Sequence, residues 1–164
     1  MQKLNAREYF VVVLVSIITI VFLVLVFNEL FSNTSPFVTT SSGEISTHST
    51  YIINVLQNLV KVILGIVAAV FLLKKRRIGW IAAFSVLLFF AFIAWYLVGM
   101  SMMAGIIDTN VYIGLGMATL LLLALIFLCF PSTIKKFQIS CRTIIPIAIL
   151  LALLATTHFL VPNY

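Results

Sequence analysis

Residues 51–77 read YIINVLQNLVKVILGIVAAVFLLKKRR. The apolar part, 51–73, exceeds the roughly 20 residues that a helix needs to cross a hydrocarbon core about 30 Å thick. In lipid, every backbone N–H and C=O must find its partner inside the segment, so such a run is predicted to be a helix. A lysine, Lys61, stands about halfway along it. Four basic residues, Lys74, Lys75, Arg76 and Arg77, close it. This stretch therefore specifies a class of protein, an orientation and one buried charge together.

Four further apolar runs, 10–27, 78–99, 111–130 and 143–161, have the same character. With 164 residues, 63% hydrophobic and only 9% charged, the chain departs from the roughly half apolar and quarter charged make-up of soluble domains. The runs do not alternate apolar and polar residues, which excludes a lipid-facing β-barrel. The expected fold is an all-α integral membrane protein, a single domain (1–164) built as one bundle of five transmembrane helices. The first run has a basic start, as a signal peptide does. Its core exceeds the usual 7–15 residues or so, no convincing small-x-small cleavage site follows and more spans come after, so it is read as a retained span. Trp80 and the pair Trp95-Tyr96 fall where the third span meets the two membrane surfaces. Pro131 ends the fourth span, and Pro146 falls in the first turn of the fifth, where a missing N–H does little harm. The odd number of spans and the lack of an internal repeat argue against an inverted-repeat transporter.

Basic residues set the predicted topology. Lys3 and Arg7 precede the first span, residues 74–77 join the second to the third, and Lys135, Lys136 and Arg142 join the fourth to the fifth. The two opposite loops, 28–50 and 100–110, contain no Lys or Arg, and the acidic Glu29, Glu44 and Asp108 lie on that side. By the positive-inside rule the N-terminus is cytoplasmic and the C-terminus external, most simply in a bacterial inner membrane. A net charge of +6 suggests nucleic acid only until its placement is considered: nine of the ten basic residues flank apolar runs and none follows a nucleic-acid motif. The external loop 28–50 is rich in Ser and Thr and is expected to form a turn or short hairpin at Ser42-Gly43. Asn33-Thr34-Ser35 matches the N-glycosylation pattern, and Thr47, Ser49 or Thr50 can cap the second helix.

Within the second span, Asn54, Asn58, Lys61, Gly65, Ala68 and Leu72 recur in alternating steps of four and three, the period of a helix–helix seam. Gln57 lies beside it and widens the polar patch. Small and amide side chains in lipid favour protein or water over acyl chains, so this seam is predicted to face inward. Lys61 lies about 15 Å along the axis from Tyr51, near the bilayer midplane. A lysine there costs about 2.5–3.5 kcal/mol on insertion scales. Three roles are open to it: packing, with bonds to Asn58 and Ser85; lining a polar path with Asn54 and Asn58, which a ring of copies would make anion-favouring; or proton-coupled or catalytic chemistry. No carboxylate is evident at its depth, which weakens coupled transport.

Other candidate features are plainer. Gly114 and Ala118 on the fourth span, near Gly116, and Ala148, Ala152 and Ala155 on the fifth have the spacing of close helix packing, within a subunit or between copies. His48 and His158 are placed on the external side, His158 within reach of Asp108 or Glu44. Cys129 and Cys141 match no redox motif. No cofactor or metal is expected, and no catalytic motif is present beyond a conceivable Lys61–Ser85 dyad. Lys74, Lys75, Arg76, Arg77, Lys135, Lys136 and Arg142 form a basic cytoplasmic face suited to anionic lipid or an acidic soluble partner. The leading expectation is a non-enzymatic, oligomeric subunit or anchor that assembles with itself or a membrane partner. An oligomeric pore or small transporter follows it, and an intramembrane enzyme comes third.

Overall fold

The computed structural model describes residues 5–32, 48–105 and 108–159, and among these every regular element is helical. Six α-helices follow in order: α1 (Ala6–Ser32), α2 (His48–Leu73), α3 (Arg77–Met103), α4 (Thr109–Cys129), the short α5 (Pro131–Lys136) and α6 (Ile144–Phe159), the last preceded by a 3-10 turn (Cys141–Thr143). Five segments are long and apolar enough to cross a membrane: Ala6–Asn28, Val55–Leu73, Arg77–Met103, Thr109–Cys129 and Cys141–His158. Expectations for Asn33-Thr34-Ser35, Ser42-Gly43, Glu44 and Thr47, and for the side chains of Glu29, His48, Ser49, Thr50 and Asn54, fall outside the described residues.

Each boundary has a local cause. At the start of α1 the Glu8 carboxylate accepts from the Asn5 N–H at 2.9 Å, satisfying one of the donors that a helix start leaves open. Asp108 does the same for α4, accepting from the Val111 N–H at 3.0 Å. The α2–α3 turn is tight. Lys75 adopts φ +53°, and the N–H groups of Lys75 and Arg76 reach back to the carbonyls of Leu72 (2.9 Å) and Phe71 (2.8 Å). This paired closure normally uses glycine at the left-handed position. Gln138 (φ +53°) ends α5 the same way, with bonds to Lys135 and Ile134. Two helices can turn this sharply because Gly79 lies against the backbone of Phe71 and Leu72, where a Cβ has no room.

Pro131 does end α4, through an extended Phe130 (ψ 138°), but it also opens α5. The predicted loop 131–142 is therefore partly helical. A proline at the first helical position loses only an N–H that would have gone unused.

Helices α1, α2, α3 and α4 pack in sequence, and α4 closes back on α1. Their shared core holds Val11 and Val15 of α1, Ala68 and Leu72 of α2, Ala83 and Leu87 of α3, and Ala124 and Leu128 of α4. The edge-to-face contact of Phe10 and Phe127 (5.6 Å) seals the α1–α4 side. Helix α6 packs outside this ring, mainly on α3, where Leu154 is fully buried with Val86 and Phe89. Trp80 is not a membrane-surface anchor. Only 4% exposed, it stacks on Phe84 and donates to the Leu128 carbonyl at 3.1 Å, satisfying an acceptor that the end of α4 leaves open. Trp95 and Tyr96 are exposed near the other end of α3.

Candidate functional site

Lys61 is turned into the protein. It is 8% exposed, its ammonium donates to the Asn58 Oδ1 at 3.2 Å and lies 5.1 Å from the centre of the Phe22 ring of α1. Two compensations thus meet at one cation: an amide oxygen three residues back on the same helix, and the negative face of an aromatic ring. An aromatic chain continues from there, Phe22 stacked on Phe90 (5.0 Å), Phe90 edge-on to Phe89 (5.5 Å), and Phe89 edge-on to His158 (5.7 Å).

That placement corrects the expectation that His158 lies beside Asp108. Helix α6 runs parallel to α3, with Arg77 beside Thr143, Phe89 beside Leu154, and Phe89 touching His158. His158 therefore lies level with Phe89, about 20 Å short of the far end of α3 at 1.5 Å per residue. Asp108, at that far end, accepts from Val111 and Asn110. The two are not neighbours.

Among the described residues, two buried side-chain polar atoms are left unmatched. Gln57 Nε2 and the fully buried Ser85 Oγ have no hydrogen-bond partner among the described residues. The Lys61–Ser85 bond considered from sequence is not formed, and with it goes the geometric basis of a dyad. Further along α2, Gly65, Ala68 and Leu72 are buried. A Cβ on Gly65 would collide with the Thr19 hydroxyl, which itself donates to the Val15 carbonyl at 2.7 Å. The close α1–α2 approach thus depends on the missing side chain at 65.

The small residues of α4 and α6 do not form a close α4–α6 seam, because α6 packs mainly on α3. Gly114 faces Val98 of α3, and Ala118 is fully buried. On α6, Ala155 packs near Val86 and Phe89, whereas Ala148 and Ala152 face outward.

All the described basic residues except Lys61 gather at one end of the bundle, but two of them are engaged in structural bonds. Lys136 forms an ion pair with Glu8 at 2.5 Å, with side-chain exposures of 13% and 6%. Arg77 donates to Thr143 (2.5 Å) and Ser140 (3.3 Å), fastening the start of α3 to the entry of α6. Lys74, Arg76, Lys135 and Arg142 are exposed and Lys75 is half-buried. Lys136 therefore leaves the predicted basic face and joins α1 to α5. Glu8 is the structural partner that sequence reading missed. Its signal was available: Asn5-x-x-Glu8 has capping-box spacing, which holds a glutamate at a helix start.

Among the described residues no three His, Cys, Asp or Glu side chains converge as a metal site, and both cysteines are exposed thiols. Fold and site together define an all-helical protein with five helices suited to a membrane and one buried lysine node. No family model, curated protein or solved structure matches the chain.

Proposed function

We propose that this chain is a non-enzymatic multi-pass membrane protein that serves as a subunit or anchor, assembling with copies of itself or with a membrane partner. The observation that carries this reading is the inward, compensated placement of Lys61 between Asn58 and Phe22. A buried charge held in this way fixes the register of α1 against α2, and such a role needs no substrate. The outward Ala148 and Ala152 on α6 supply a face on which a second helix can approach closely in lipid.

In the same proposal the basic end lies in the cytoplasm and α1 through α4 and α6 cross a bacterial inner membrane, with residues beyond α6 external. The gathering of Arg7, the 74–77 cluster, Lys135, Lys136 and Arg142 at one end supports that orientation. Cys141, exposed at this end, provides a direct test. A membrane-impermeant thiol reagent should label it from the cytoplasmic side alone; labelling from outside overturns the orientation.

An oligomeric pore along Asn54, Asn58 and Lys61 is the second reading, favoured by the Gln57 Nε2 left without a hydrogen-bond partner among the described residues, about one turn from Lys61 on α2. It requires Lys61 to leave the Phe22 face and point to an axis between subunits. Lys61→Met separates the two: unchanged assembly with lost ion flux in liposomes defeats the subunit reading, and unchanged flux with equal or higher stability defeats the pore.

A further inference from the structure

We propose that the groove between α3 and α4 holds one acyl chain of an anionic phospholipid, whose headgroup is received by Arg7. The groove measures about 440 Å³ and is lined by apolar side chains, Phe84 and Leu88 from α3 and Leu122, Leu125 and Ile126 from α4, with Phe130 at its basic end. Ile126 (55% exposed) and Leu122 (38%) open it to the surroundings of the helices, which in a bilayer are lipid tails.

Charge decides which lipid. Phe130 forms the groove's end wall and also carries Arg7, whose guanidinium carbon lies 4.1 Å from the ring centre. The exposed Arg7 does not itself line the groove but sets its cation on the Phe130 ring, at the groove's basic end. The adjacent carboxylate, Glu8, is turned inward and held by Lys136 and the Asn5 N–H, so it does not cancel that charge toward the outside. A guanidinium matches a phosphate with paired donors in one plane, and an apolar channel leading from it matches the attached chain. A zwitterionic lipid satisfies the groove but brings its own cation to Arg7.

The inference rests on the chain lying in a bilayer and not on its role as a subunit. Trp80, stacked 5.0 Å from Phe84 on the groove wall, reports occupancy; Trp95→Phe makes it the only tryptophan. This protein is placed in phosphatidylcholine nanodiscs containing increasing fractions of phosphatidylglycerol or phosphatidylcholine with the same brominated chains. Half-quenching of Trp80 is expected at about a five-fold lower fraction of the brominated phosphatidylglycerol, the effect of one basic residue near a headgroup. Arg7→Gln should bring the ratio to about one, and Arg7→Lys should restore part of it. Equal quenching by the two lipids in the Arg7 protein overturns the proposal, as does a preference that survives Arg7→Gln. Quenching by neither lipid leaves the groove without an acyl chain and also overturns the proposal, while recovery of the protein with the nanodiscs on size exclusion tells separately whether the chain sits in the bilayer.

Discussion

The Glu8–Lys136 pair makes a prediction whose sign depends on which partner is removed. Glu8 is short, 6% exposed and fixed at the start of α1; Lys136 has a long stem and is 13% exposed. In Lys136→Met the carboxylate keeps only its bond from the Asn5 N–H and cannot reach water, so the loss should approach the about 3–5 kcal/mol that follows from breaking a buried pair. In Glu8→Gln the amide oxygen can still cap Asn5, and the ammonium can swing outward along its stem, so the loss should be that of one charged hydrogen bond, about 1.5–3 kcal/mol. The double variant Glu8→Gln/Lys136→Met buries no charge and should be more stable than Lys136→Met alone. Unfolding free energies in lipid bicelles, measured by steric trapping, complete the cycle. A Lys136→Met variant no worse than Glu8→Gln, or simple additivity of the two, would refute the reasoning that α1 and α5 are joined through a charge sheltered from solvent.

Three further tests probe the packing. Gly79→Ala should destabilise the protein by about 2 kcal/mol or more, because its Cβ meets the backbone of Phe71 and Leu72, whereas Gly99→Ala, with open space around it, should change little; thermal unfolding in detergent distinguishes them. Gly65→Ala should be harmful alone and largely rescued by Thr19→Ala, since the obstacle there is one side-chain hydroxyl; a failed rescue in the same assay places the strain elsewhere. Lys75→Gly should raise stability by up to about 1 kcal/mol by relieving a left-handed lysine, and a decrease would mean that the lysine side chain itself holds the turn.

Much of the architecture was legible from the chain alone, because lipid-suited helices announce themselves by length and apolarity. The five spans emerge with ends shifted by up to about a turn, and the missed turns have local explanations: Glu8 reaching back to Asn5, Asp108 capping α4, Pro131 opening α5. The candidate site was legible only in part. The four-three spacing along α2 put Lys61, Gly65, Ala68 and Leu72 on one face, and that face is buried. Which neighbours it would meet could not be read, since an apolar helix in lipid has many nearly equivalent partners.

The number of membrane-length helices, the lipid-suited class and the segregation of positive charge follow from local composition, which acts on each segment independently of the others. Tertiary structure alone decided that α6 packs on α3 and not on α4, which put His158 beside Phe89 at the level of Lys61. It also decided that Lys136 turns inward to Glu8, 128 residues away in sequence, so that a charge counted with the basic face became a bond between helices. Both outcomes depend on contacts between distant segments, and periodicity within a single helix carries no information about them.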